Sequence, residues 1–168
     1  MAAVDRGALI LCRDPTREYR GTHRTPLDGV AFRGRRGRDL GRRYAEALVD
    51  GEGVLQDLDQ ALALCAEATA LGIPSLEVIV FEVPQRPAGP LAVLEPPPAE
   101  GLELLGWDVF EPLEPWWSPL SSGAVEGLNA CGLFARREDA EALARRLNDD
   151  GATDEPAEAV RVWKALPG

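Results

Sequence analysis

Apolar positions recur with helical spacing in two stretches of the chain, Gly132 to Asn148 and Gly53 to Thr69. One helical face of the later stretch is apolar at the i, i+3, i+4 and i+7 positions, which hold Ala140, Leu143, Ala144 and Leu147. The earlier stretch has Asp57 as an expected N-cap with a glutamine three residues on, the pattern of a capping box. Both stretches are therefore predicted to be amphipathic helices.

The two predicted helices match each other at a constant offset of 79 positions, 132 minus 53. The matching pairs are Gly53 with Gly132, Val54 with Leu133, Leu55 with Phe134, Asp59 with Glu138, Ala61 with Ala140, Ala63 with Ala142 and Leu64 with Leu143. Gly72 and Gly151, which are predicted to end the two helices, keep the same offset. An internal match of this kind predicts a duplicated structural unit.

Apolar runs at 8–13, 76–83, 102–110 and 158–166 predict four strands, one at the start and one at the end of each proposed unit. The β-branched run Val78 to Val80 gives the clearest of them. Asp39 is predicted to cap a further short helix that ends at Val49. The chain thus predicts an α+β fold, with two pseudo-repeated strand-helix-helix-strand halves that share one twisted sheet and pack their helices on one face.

A proline-rich connector divides the predicted halves. The first half spans residues 1–84 and contains a strand, an arginine-rich loop, two helices and a strand. The second half spans residues 101–168 and contains a strand, a tryptophan loop, a helix and a strand. Residues 85–100 are expected to join the two as an extended and rather stiff segment.

Composition favours a soluble, cytoplasmic protein without a bound cofactor. Of the 168 residues, 45% are apolar, which is ample for a buried core, and no apolar run approaches the ~20 residues of a membrane span. Cys12, Cys65 and Cys131 are too far apart in sequence to form a metal-binding pair. His23 is the single histidine, so a histidine-based metal site is not expected.

Charge is distributed unevenly along the chain. The net charge is −10, yet residues 1–43 hold 11 of the 18 basic groups and 5 of the 28 acidic ones, which gives that segment a charge of +6. The remainder, with 7 basic and 23 acidic groups, has a charge of −16. Positive and negative charge are therefore separated along the sequence. The fold decides whether they are also separated in space.

The arginine-rich segment 13–43 predicts one candidate site, for an anion. Guanidinium groups bind phosphate or carboxylate oxygens in pairs, and the interleaved glycines let backbone amides approach. The candidate anion-binding residues are Tyr19, Arg20, His23, Arg24, Arg35 and Arg36. The alternative is that these arginines neutralise the acidic remainder of the chain. A nucleic acid is the less favoured ligand because that remainder would repel a polyanion.

Residues 19–23, Tyr-Arg-Gly-Thr-His, resemble the first motif of ADP-ribosyltransferases, where an Arg-Gly or His-Gly pair after an aromatic residue holds the nicotinamide dinucleotide. The resemblance covers five residues and implies an enzyme. The catalytic Glu-x-Glu segment of that family, however, occurs nowhere in the chain. No phosphate loop or dinucleotide motif is present either, so a protein that is not an enzyme is favoured.

Two further features predict contact with another protein. Trp116 and Trp117 stand between prolines, and a stiff loop that displays tryptophans loses little entropy on binding. The alternative is that these rings fold back onto the sheet. The acidic loop residues Asp149, Asp150, Asp154 and Glu155 predict a face for a basic partner, with a solvated turn as the alternative.

The favoured interpretation is a small acidic protein-binding module that blocks a basic partner protein. By charge, size and lack of catalytic residues, the chain resembles bacterial immunity proteins and antitoxins. The alternative is a domain that senses an anionic small ligand or uses a nucleotide, with a cleft lined by residues 13–43. No cofactor, metal or membrane contact is expected.

Overall fold

The computed structural model describes residues 4–12, 34–47, 58–72, 76–84, 100–110, 118–122, 124–154 and 156–166. In chain order these form strand β1 (Val4–Cys12), helices α1 (Gly34–Ala47) and α2 (Leu58–Ala70), strands β2 (Leu76–Pro84) and β3 (Leu102–Phe110), a turn of 3-10 helix (Pro119–Ser122), helix α3 (Arg137–Asp149) and strand β4 (Glu158–Ala165). The predicted α+β class is confirmed.

The four strands form one sheet in the order β1-β2-β4-β3, and all three neighbouring pairs are antiparallel. β1 and β2 are neighbours at one side of the sheet, β3 and β4 are neighbours at the other, and the two pairs meet where β2 pairs with β4. The register places Val80 opposite Trp163 and Glu82 opposite Arg161. β2 and β4 are consequently the central strands, between the outer strands β1 and β3.

Helices α1 and α2 cover one face of the sheet and α3 covers the other. Successive residues of a strand point to opposite faces, so Val78 and Val80 lie on one side of β2 and Ile79 and Phe81 on the other. The first pair belongs to a buried cluster with Trp163 and with Leu40, Tyr44, Ala61, Leu64 and Ala68 of α1 and α2. The second pair belongs to a cluster with Val160, Val162 and with Ala140, Leu143 and Ala144 of α3.

The prediction that the helices pack on one face is therefore wrong. The physical reason lies in β2, where Val78, Ile79, Val80 and Phe81 are all at most 2% exposed. A strand with a continuous apolar run needs a cover on each side, whereas alternating apolar and polar positions are typical of a sheet with one solvated face. α1 and α2 provide one cover, and α3 provides the other.

The positions of α2 and α3 do not follow the symmetry that the strand order would give to a duplicated unit. A rotation that exchanges β1 with β3 and β2 with β4 has its axis perpendicular to the sheet, because paired strands are antiparallel. That rotation would leave α2 and α3 on the same face. Since they lie on opposite faces, the two halves do not superpose in this way, and a duplication of sequence stays a prediction.

The helix boundaries differ from those expected. α1 begins at Gly34, so Asp39 lies inside the helix and does not cap it. α3 begins at Arg137 after an N-cap residue, Arg136, whose side chain makes no capping hydrogen bond. The preceding residues instead form a bridge to β3, in which Phe134 and Trp107 exchange backbone hydrogen bonds of 2.8 and 3.0 Å. Tertiary pairing thus fixes the start of α3.

Candidate functional site

Five of the predicted site residues are described by the structure, and they fall into two groups. Arg35 and Arg36 lie in the first turn of α1, while Asp149, Asp150 and Asp154 lie at the end of α3 and just beyond it. Because α1 and α3 cover opposite faces of the sheet, the structure does not bring the two groups together. The other predicted residues lie outside the described residues: Trp116, Trp117, Glu155, Tyr19, Arg20, His23 and Arg24.

The acidic turn, defined as Asp149, Asp150 and Asp154, is anchored by the side chain of Asn148. The backbone N–H of Ala157 donates to Oδ1 of Asn148 at 2.7 Å, and Nδ2 of Asn148 donates to the carbonyl oxygen of Ala157 at 3.0 Å. The backbone N–H of Ala152 donates to the carbonyl oxygen of Leu147 at 3.0 Å. The end of α3 is thereby tied to the start of β4, and the three aspartates are held on an ordered turn.

The electrostatics of the acidic turn are unfavourable for stability. All three aspartates are exposed, and they form no ion pair with any residue in the described ranges. The C-terminal end of a helix carries a partial negative charge, so carboxylates there are repelled by the helix as well as by each other. The turn therefore presents concentrated negative charge to solvent without compensation from the described part of the molecule.

The first turns of α1 carry positive charge at the N-terminal end of a helix, whereas the acidic turn carries negative charge at a C-terminal end. Arg35, Arg36 and Arg38 are exposed, there is no acidic residue in the first turn, and none of the three forms an ion pair with the described residues. The N-terminal end of a helix is partially positive and favours carboxylates, as in α3, whose first turn holds Glu138 and Asp139. These arginines destabilise the helix end they occupy.

The later arginines of α1 neutralise carboxylates within the molecule. Arg43 donates two hydrogen bonds to Glu67 of α2, one of them 3.0 Å long, and its Nε lies 3.2 Å from Oδ2 of Asp39. The hydrogen bond from Arg43 lowers the pKa of the Glu67 carboxyl, and a hydrogen bond from Arg42 lowers that of Asp39. The described arginines of α1 are thus divided: Arg42 pairs with Asp39 within the helix, Arg43 also joins α1 to α2, and Arg35, Arg36 and Arg38 form no ion pair with the described residues.

Sequence reasoning missed a group of polar residues buried in the sheet. Glu82 and Arg161 are 5% and 8% exposed, and Asp108 is fully buried, where it accepts hydrogen bonds from the Ser118 hydroxyl and from the backbone N–H of Val109. The signal in the sequence is a charged residue that directly adjoins an apolar run within a strand, as in the run Val-Ile-Val-Phe-Glu of β2. Such a residue is buried only with partners, which a single sequence does not identify.

In the described ranges, no three histidine, cysteine, aspartate or glutamate side chains cluster as metal ligands. Among the helices that the structure describes, none has the length and apolar character needed to cross a bilayer. Comparisons with protein-family models, with curated proteins and with solved structures give no match. The acidic turn and the first turns of α1 remain the candidate functional surfaces.

Proposed function

We propose that the chain is a small, acidic, cytoplasmic protein-binding module that covers a basic surface of a partner protein. The class it would join is that of bacterial immunity proteins and antitoxins. The observation that carries the proposal is the acidic turn, in which three exposed carboxylates stand without ion-pair partners among the described residues. A basic protein would supply the missing partners, and the net charge of −10 would steer it toward the module.

Trp116 and Trp117 are the proposed apolar anchor of the same interface. Charged groups at an interface mainly give specificity and a fast encounter, whereas buried aromatic residues contribute most of the binding energy. Replacement of both tryptophans by alanine should weaken the complex and leave the chain folded. If the double variant unfolds, the rings belong to the core, and the acidic turn has to act without them.

The test is capture of the partner from the lysate of the native cells, by wild type and by two charge-matched variants. The first combines Asp149→Asn, Asp150→Asn and Asp154→Asn, and the second combines the exposed residues Asp59→Asn, Glu100→Gln and Glu103→Gln. Each removes three negative charges, which changes the net charge from −10 to −7. We expect wild type and the second variant to capture a stoichiometric basic protein. The first variant should not capture it, and high salt should release it from wild type.

Equal capture by both variants would show that net charge alone attracts the protein, and it would refute the acidic turn as the binding surface. Absence of a stoichiometric protein with wild type would refute the module itself. The two results are separable because the first requires a captured partner and the second excludes one.

An anionic small ligand at α1 is the second candidate function. It is favoured by Arg35, Arg36 and Arg38, which occupy the end of a helix where cations are unfavourable and where an anion would be stabilised. Thermal unfolding with nucleotides and phosphorylated metabolites tests it, since a ligand that binds only the folded state raises the unfolding temperature. The shift should disappear when the three arginines are replaced by glutamine and persist in Arg145→Gln, an exposed arginine of α3.

A further inference from the structure

A groove separates residues 124–127 from helix α3. It has a volume of about 600 Å³, within the range of small-ligand pockets. Phe134 and Leu143 line it and are 8% and 6% exposed, and half-buried Val125 lines it from the other side. Residues that are buried and also line a groove form its base, so the base of this groove is apolar.

Three charged side chains line the same groove. Glu126 is exposed and forms no ion pair with the described residues, and Asp139 has only a long contact, 3.8 Å, with Nε of Arg136. Arg146 follows Asp139 by seven residues, so the two lie on the same helix face about 10 Å apart along the axis. The groove therefore combines an apolar base with two carboxylates and, two turns further along α3, a guanidinium.

We propose that this groove is a subsite for one basic side chain, arginine or lysine, of the protein partner. The aliphatic part of that side chain lies on Phe134 and Leu143, and its cation meets the carboxylates of Glu126 and Asp139. Arginine and lysine suit such a site because their long stems cover apolar surface while the charged end stays at the rim. The inference rests on the proposed function, for which it supplies the residue class recognised.

The charges disfavour the other ligand classes. A phosphate or a carboxylate would meet two negative side chains and a single positive one, and an apolar side chain would leave Glu126 and Asp139 without partners. The subsite also differs from the acidic turn, because none of the three aspartates of that turn lines the groove. The acidic turn alone would select a partner by charge. The groove would add selection by the shape of one side chain.

The experiment is a nuclear magnetic resonance titration of the labelled full chain with N-acetyl-arginine amide. We expect saturable shifts of the amide signals of Gly127, Phe134 and Leu143. N-acetyl-citrulline amide has nearly the same shape without the charge, and it should bind about five- to tenfold more weakly, as expected for loss of two partly exposed charge contacts. Glu126→Gln with Asp139→Asn should cause a similar loss, while Asp59→Asn with Glu103→Gln, which removes the same charge from exposed positions elsewhere, should not.

Equal binding of the citrulline probe would overturn the proposed recognition of charge, and shifts confined to the acidic turn would overturn the groove as the site. Circular dichroism of the Glu126→Gln and Asp139→Asn variant confirms that it is folded. Partner capture that is lost in the acidic-turn variant but unchanged in this one refutes the subsite and leaves the module standing. Binding of the arginine probe in the groove without any captured protein would support the subsite and refute the proposed module.

Discussion

The indole Nε1 of Trp163 donates a hydrogen bond of 2.8 Å to Oε1 of Glu82, and both residues are at most 5% exposed. Arg161 faces Glu82 across the β2–β4 pairing. Its guanidinium carbon lies 5.5 Å from the ring centre of Trp163 and 5.0 Å from that of Trp107. The two central strands are therefore joined by a buried polar group as well as by backbone hydrogen bonds.

Glu82→Ala should destabilise the fold strongly, by about 2–4 kcal/mol, because it leaves a buried indole N–H without an acceptor and the Arg161 guanidinium without its opposite carboxylate. Glu82→Gln keeps an amide oxygen for Trp163 and should cost less. Urea unfolding of the two variants measures the difference. If both lose the same free energy of unfolding, the carboxylate charge matters and the hydrogen bond to Trp163 contributes nothing.

Gly106→Ala should also destabilise the fold, through backbone crowding. Gly106 has φ of 146°, and a Cβ atom there would lie 2.6 Å from the carbonyl oxygen of Phe134 and 2.9 Å from Cβ of Leu133. This closeness follows from the bridge between Phe134 and Trp107. We expect a loss of about 2–4 kcal/mol in the free energy of unfolding, as strain adds to overpacking.

Gly127→Ala is the matched control for Gly106→Ala. Gly127 has φ of 78° and nothing within 4 Å of an added Cβ, so only the conformational strain remains, about 1 kcal/mol. Calorimetric melting of both variants gives the comparison. Equal losses would show that the close approach of Phe134 to β3 is not maintained in solution.

The sequence predicts the elements of this fold better than their arrangement. The apolar face of α3 is as expected, with Ala140, Leu143 and Ala144 buried and Leu147 half-buried. Three strands match their predicted ranges within one residue, whereas β1 begins at Val4, four residues before its predicted start. Each of these depends on local periodicity. Which face a helix covers depends on contacts between distant segments, and a single sequence carries only an indirect signal of that, the unbroken apolar run of β2.

The candidate site divides in the same way. Exposure of Arg35, Arg36 and the acidic turn follows from their charge and was predictable. The ion pairs of Arg43 and the groove beside α3 depend on how α1 approaches α2 and how residues 124–127 cross α3, so their residues could not be selected from charge alone. Arg38 and Arg42 are both arginines of α1 close to Asp39 in sequence. Of the two, only Arg42 forms an ion pair with Asp39, at 2.7 Å.

Cys65 should react slowly with alkylating reagents in the folded protein. The thiol is half-buried, donates to the carbonyl oxygen of Leu76 at 3.5 Å, and has a raised pKa because burial disfavours the thiolate and nearby Glu77 repels it. Since the thiolate is the reacting form, we expect iodoacetamide at neutral pH to modify Cys65 much faster after unfolding in urea. Mass spectrometry of digested protein assigns the site, and equal rates in both states would contradict the burial of this thiol.

Arg43→Gln should reduce stability at neutral pH but not in acid. The hydrogen bond from Arg43 lowers the pKa of Glu67 below its ordinary value of 4.5, and Arg43 also contributes, after the hydrogen bond from Arg42, to lowering that of Asp39 below 3.8. A carboxyl whose pKa is lowered by folding stabilises the folded state above its unfolded pKa, and this stabilisation is lost as the pH falls through the folded pKa.

The urea midpoints of wild type and Arg43→Gln should therefore differ at pH 7 and converge as the pH falls below 4, and added salt should shrink the difference at pH 7 because both partners are partly exposed. Arg38→Gln is the control, since Arg38 belongs to the same helix and has no ion pair with the described residues. Its midpoint should lack this pH-dependent difference. A difference for Arg43→Gln that is independent of pH would mean that the side chain stabilises the contact between α1 and α2 by packing, and the ion pair with Glu67 would then be incidental.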